Sequence, residues 1–155
     1  MRLWTIVIGL WLAMAGGAWA QCAPPGDYPN RAGAMAQGLN GQRVATGLGG
    51  LAVNQELTNA AQRHACDVAA TNRFGHTGSD GSAPDARVRQ SGYSTCLTAE
   101  NVAWGYSDPG QVVQGWMQSP GHRRNMLHPG VAEYGVGLAQ GADGPVWVLV
   151  MARAC

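Results

Sequence analysis

WMQSPGHRRNML, residues 116–127, is the stretch on which the reading of this chain turns. Trp116 closes a helical pattern that Asp108 opens as N-cap, with Pro109 as first residue and Gln111 as capping-box partner. Val112, Val113 and Trp116 form its apolar face. Ser119-Pro120 stops that helix and starts another by the same cap-then-proline grammar. The second helix carries His122 in its first turn and ends near Leu127, before Pro129-Gly130. At a helix start the macrodipole disfavours an imidazolium, which biases His122 toward the neutral form that binds metals or accepts protons. A helix-start histidine exposed to water is the alternative.

Upstream, residues 98–104 (TAENVAW) alternate as a strand, with Ala99, Asn101 and Ala103 on one side and Glu100, Val102 and Trp104 on the other. If the Glu100 side is buried, its carboxylate needs a partner, because an unpaired buried charge is expensive. On an edge strand it faces water instead. A short helix over about Pro84–Gln90 precedes the strand, and before that comes the polar loop Gly75–Ser82, too rich in glycine for regular structure. His76 in this loop is either a site residue held by the flanking elements or a brace for the loop itself. The clearest helix runs from an Asn54 cap to about Thr71, with Leu57, Ala61, Ala65 and Val68 as its stripe. His64 falls on that stripe, as a core or supporting histidine. A first helix over about Arg31–Ala45 is weakened by Gly38 and Gly41 and ends at the Gly47–Gly50 cluster. Downstream, Tyr134–Ala139 and Val146–Ala152 read as strands, and His128, in a turn before Pro129, as exposed. Helices mixed with non-consecutive strands indicate an α+β fold, an α-β-α layered domain.

Residues 1–20 read as a signal peptide: Arg2, the apolar run Leu3–Ala15, then the small-x-small site Ala18-Trp19-Ala20. The run is too short for a convincing membrane span. Residues 21–155 then form one domain, with its core at about 35–152, secreted or periplasmic and expected to be monomeric. Of ten basic residues, all arginine, only Arg2 leaves with the signal, so nine remain against nine acidic ones. That balance argues against a nucleic-acid or anionic-membrane partner. Cys22, Cys66, Cys96 and Cys155 all lie in the exported part, where an even count favours two disulfides. Four cysteines allow three pairings; the expected one is Cys66–Cys96 with Cys22–Cys155, the second tying down two ends that would otherwise fray. With no CxxC, thiol redox chemistry is not expected.

The ordered motifs resemble the CAP superfamily of cysteine-rich secretory, antigen 5 and pathogenesis-related proteins, in its bacterial secreted form. They are Leu39-Asn40-x-x-Arg43, Gly47-Leu48-x-x-Leu51-x-x-Asn54-x-x-Leu57, Phe74-x-His76-Thr77-Gly78-Ser79-Asp80-Gly81-Ser82, Gly92-Tyr93, Glu100-Asn101-Val102-Ala103-Trp104-Gly105, Trp116-Met117-x-Ser119-Pro120-Gly121-His122-Arg123-x-Asn125-Met126-Leu127 and Glu133-x-Gly135-Val136-Gly137. The resemblance implies an α-β-α sandwich whose cleft is lined by two histidines, His76 and His122, and by Glu100. Animal and plant relatives carry a further glutamate where this chain has Ser119, and Glu133 is the candidate for the missing carboxylate. It also implies that the two histidines can hold zinc or another divalent cation; with two strong ligands the binding is expected to be weak and exchangeable.

No nucleophile elbow, nucleotide loop or paired-histidine metalloprotease helix is present. The expected function is therefore a non-enzymatic extracytoplasmic binding module for a lipid, cell-wall or protein ligand. The alternative is a metal-dependent hydrolase, peptidase-like, with Glu100 as general base. A third possibility is a His–Glu–His network that serves stability alone.

Overall fold

The computed structural model describes residues 22–155, so the expected signal peptide lies outside the described residues. Nine elements follow in order: α1 (Tyr28–Ala45), β1 (Ala52–Val53), α2 (Gln55–Thr71), α3 (Pro84–Gln90), β2 (Thr95–Trp104), α4 (Pro109–Gln118), α5 (Pro120–Met126), β3 (Glu133–Gly141) and β4 (Gly144–Ala154). Among the described residues no helix is long and apolar enough to cross a membrane.

The cap grammar places α2 and α4 as expected. Asn54 accepts from the Leu57 amide and Asp108 from the Gln111 amide, each satisfying one orphan donor of a first turn. Ser119 departs from expectation: it occupies the N-cap position of α5 but makes no capping bond. α1 begins three residues earlier than the glycine-weakened pattern suggests, with Pro29 in its first turn.

The sheet order is β1-β3-β4-β2, parallel between β1 and β3 and otherwise antiparallel. Strand alternation sends β4 side chains into two cores. Val146, Val148, Val150 and Ala152 pack with Leu57, Ala61, Ala65 and Val68 of α2. Trp147, Leu149 and Met151 pack with residues of α1, α4 and α5 on the opposite face. This is the expected α-β-α layering.

α2 lies unusually close to β3, and two glycines make that possible. A Cβ on Gly135 would lie 2.1 Å from the Thr58 amide nitrogen, and one on Gly137 2.3 Å from the Ala61 carbonyl carbon. Buried Arg43 reaches from α1 to the carbonyls of Met126 and His128, tying off the end of α5. His128 is therefore half-buried rather than exposed, its Nδ1 accepting from the Gly130 amide.

The disulfides join Cys22 to Cys66 and Cys96 to Cys155, which corrects the expected Cys66–Cys96 and Cys22–Cys155 pairing. The register explains it. Thr95 of β2 stands opposite Ala154 of β4 and Leu97 opposite Arg153, so Cys96 bulges out of the ladder between them and meets Cys155, whose amide donates to the Ser94 carbonyl. The other bridge pins the lead-in before α1 onto α2, and so does tie down an end.

Candidate functional site

β2 is an edge strand whose open side is sealed by α4 and α5. Trp116 donates its indole N–H to the Val102 carbonyl, and Asn125 donates to the Glu100 carbonyl. Sealing an edge in this way satisfies backbone groups that would otherwise be exposed. It also fixes His122, because Asn101 of β2 donates to the His122 carbonyl while accepting from Asn125.

Glu100 resolves in favour of burial: its side chain is 1% exposed. The partners that burial demands are present. Arg87 of α3 donates through Nη2 to Oε2 at 2.8 Å, and His76 meets Oε1 through Nδ1 at 2.9 Å. Arg87 also donates to the Ser82 and His76 carbonyls, so one guanidinium holds both the carboxylate and the glycine-rich loop. At Gly78 within that loop, a Cβ would come within 2.7 Å of the Asp80 side chain. His64, fully buried on α2, lies 3.7 Å from Glu100 Oε1 and donates from Nε2 to the Gly75 carbonyl at 2.8 Å. Burial pushes its pKa down, so the ring is neutral and supports the loop from behind.

The two cleft histidines are tuned in opposite directions. The hydrogen bond to Glu100 raises the pKa of His76. Burial lowers that of His122, and the charge on His76 lowers it further. His76 bonds Glu100, and Asn101 beside it on β2 bonds the His122 carbonyl, so the loop, the strand and the helix start meet at this stretch of β2. Glu133 is engaged elsewhere, accepting from Asn54 Nδ2 at 3.0 Å and from the Tyr93 hydroxyl. It braces the start of β3 against the Asn54 cap of α2 and against Tyr93, in the turn between α3 and β2, rather than supplying the carboxylate absent at Ser119.

With Nδ1 of His76 turned to Glu100, and Nδ1 of His122 buried without a partner, Nε2 is the accessible nitrogen of each ring. Both oxygens of Glu100 are already taken. Among the described residues no group of three His, Cys, Asp or Glu side chains is disposed to hold a metal. The described residues therefore build no closed structural zinc site of three or four protein ligands.

The residues that organise this site beyond those expected are Arg87, Asn101 and Asn125. Asn101 and Asn125 belong to the motifs flanking Glu100 and His122, which was a usable signal. Nothing in the sequence marks Arg87 out from the other arginines.

The profile described as "Cysteine-rich secretory protein family" (CAP) matches residues 37–151. An uncharacterized protein, YkwD, of Bacillus subtilis is 32% identical over 108 residues, 70% of this chain and 41% of that protein. An uncharacterized membrane protein, YlbC, of the same organism is 30% identical over 96 residues, covering 62% of this chain and 28% of its own length. This chain therefore spans less than half of each. Among solved structures, an extracellular protein containing a SCP domain from Bacillus anthracis superposes with a TM-score of 0.74 at 26% identity, covering 81% of this chain and 41% of that one. An outer surface protein of Borrelia burgdorferi superposes at 0.72 and 21% identity, covering 78% and 90%.

Proposed function

The chain belongs to the cysteine-rich secretory protein (CAP) family, and on that premise we propose that it is an exported, non-enzymatic binding module. Its cleft, formed by the Gly75–Ser82 loop, β2 and the start of α5, holds a divalent cation weakly through His76 and His122 beside a lipid, cell-wall or protein ligand. One observation carries the non-enzymatic reading. Glu100, the residue a hydrolase would need as general base, is buried with both carboxylate oxygens engaged by Arg87 and His76. A base must reach the proton it removes, whereas a doubly bound carboxylate positions its partners. Glu100 orients His76 so that its Nε2 faces outward, much as carboxylates orient the histidines of metal sites. A cation there would add a positive centre for an anionic or carbonyl group of the ligand. The two disulfides fit an oxidising compartment.

Zinc titration calorimetry tests the cation. Wild type is expected to bind weakly, with affinity falling at least tenfold in His76→Ala and in His122→Ala. Equal heats in all three proteins would leave the network a purely structural role. Incubation of the zinc-loaded protein with peptides and peptidoglycan is expected to give no turnover. Turnover abolished by Glu100→Gln in a folded protein would install the hydrolase instead.

A further inference from the structure

Two large aromatic side chains stand exposed at one place, just beyond the cleft. Trp104, at the end of β2, is 45% exposed and Tyr106 is 42% exposed. Both line a cavity of about 400 Å³ whose floor is Val102 and Val112 and whose far wall carries Ser119 and His122. Single exposed apolar residues such as Val44 and Val53 need no explanation, but adjacent exposed aromatics over one pocket do.

The platform is rigid. Phe74 stacks on Trp104 with ring centroids 4.1 Å apart and planes 20° apart, which fixes the indole and covers one of its faces. The backbone of Tyr106 is held by the Trp147 indole, which donates to the Tyr106 carbonyl at 2.9 Å. Trp147 is itself covered by the Arg31 guanidinium, 4.9 Å from its ring. Ordering the aromatic surface in advance lowers the entropy cost of binding.

The polar groups beside this surface are unspent. Ser119 makes no capping bond and so keeps its hydroxyl for another partner. His122 lines the pocket with its Nδ1 buried, which leaves Nε2 as the ring nitrogen a ligand can meet. The pocket lining contains no Asp, Glu, Lys or Arg side chain. A ligand matching this set is neutral, presents a face of C–H groups to aromatic rings, and carries hydroxyls at its edge. The negative face of an aromatic quadrupole favours such C–H groups, and hydroxyls meet Ser119, His122 and the Tyr106 phenol. In the metal-free protein a charged ligand would find no counter-charge in this lining, and an acyl chain would leave these polar groups dry and unsatisfied.

We propose that the Trp104–Tyr106 platform with Ser119 and His122 is a subsite for a neutral pyranose ring of a glycan. The assignment rests on the binding-module reading and narrows its ligand, but it does not depend on the cation. The test is titration of chelator-treated protein with the trisaccharides of N-acetylglucosamine and of glucose, followed by tryptophan fluorescence and amide NMR shifts. Among the described indoles Trp104 is exposed and Trp116, though buried, lines the same cavity, whereas Trp147 does not, so a fluorescence change is assigned to the platform by its loss in Trp104→Ala. Saturable binding of at least one trisaccharide is expected, weakened tenfold or more in Trp104→Ala and in Ser119→Ala and partly retained in Trp104→Phe. Folding of each variant is checked by circular dichroism. No saturation by either sugar, saturation unchanged in Trp104→Ala, or saturation by dodecanoate alone would each overturn the proposal. Since zinc calorimetry is separate, failure here with zinc binding intact would remove the sugar subsite and leave the binding module.

Discussion

Gly137→Ala is expected to unfold the protein or to lower its unfolding free energy by at least about 3 kcal/mol, the upper end of the usual cost of overpacking. The added carbon would lie 2.3 Å from the carbonyl carbon and oxygen of Ala61, backbone atoms of the middle of α2 that have no side-chain freedom to yield. Relief requires α2 to lift away from β3, which would open the core of Leu57, Ala61, Ala65, Val68, Val148 and Val150. A domain stable by about 5–15 kcal/mol has little margin for such a change. Gly41→Ala adds the same methyl group on α1, where nothing lies within 4 Å. It is expected to stabilise the helix by about 0.5–1 kcal/mol through propensity alone. Urea unfolding of the two variants checks the pair. A mild Gly137→Ala would mean that α2 does not sit where the structure puts it.

The second large effect is expected at Arg87. Arg87→Met leaves Glu100 buried without its guanidinium, and breaking a buried ion pair from one side costs about 3–5 kcal/mol. It also frees the Ser82 and His76 carbonyls, so the Gly75–Ser82 loop is expected to loosen and expose its amides to hydrogen exchange. The cost divides into an unpaired charge and a lost loop clamp, and a second substitution separates them. In Arg87→Met with Glu100→Gln the charge is gone, so part of the stability is expected to return while the loop stays mobile. If Arg87→Met costs less than about 1 kcal/mol, as a solvent-exposed ion pair would, then Glu100 is not the buried hub described here.

How much of this was legible in the sequence depends on whether the signal was local. The caps at Asn54 and Asp108 and the proline starts at Pro84 and Pro120 are written within four residues of the helices they begin, and all four helices lie where those residues put them. The alternation at 98–104 marked β2 but left the burial of Glu100 open, and Glu100, Asn101, Val102 and Ala103 are all buried because α4 and α5 cover the strand's open edge, while Trp104 is exposed. β1 was invisible because two exposed residues carry no pattern; it exists only through pairing with Glu133 and Tyr134. The disulfide pairing was misread because it depends on the register of β2 against β4, a relation across more than fifty residues with no local mark. Glu133 was a candidate by residue type, and its diversion to Asn54 and Tyr93 follows from the same kind of long-range placement. Arg87 needed the fold as well, since only the packing of α3 beneath β2 distinguishes it.

The opposite tuning of the two cleft histidines has consequences for stability as well as binding. A pKa raised on folding, as at His76, stabilises the fold fully below the ordinary histidine value of about 6.5, and that contribution is lost as pH rises through the raised value. His64 and His122, lowered by burial, act the other way: they cost nothing above about 6.5 and weaken the fold as pH falls below it.

The most direct measurement is a proton NMR titration of the histidine rings in metal-free protein, with single substitutions assigning the signals. His76 is expected to titrate above the ordinary histidine value and His122 below it, with Glu100→Gln bringing His76 down and His76→Ala letting His122 rise. Two rings titrating at the ordinary value, each indifferent to loss of the other and of Glu100, would mean that loop, strand and helix start do not share a site.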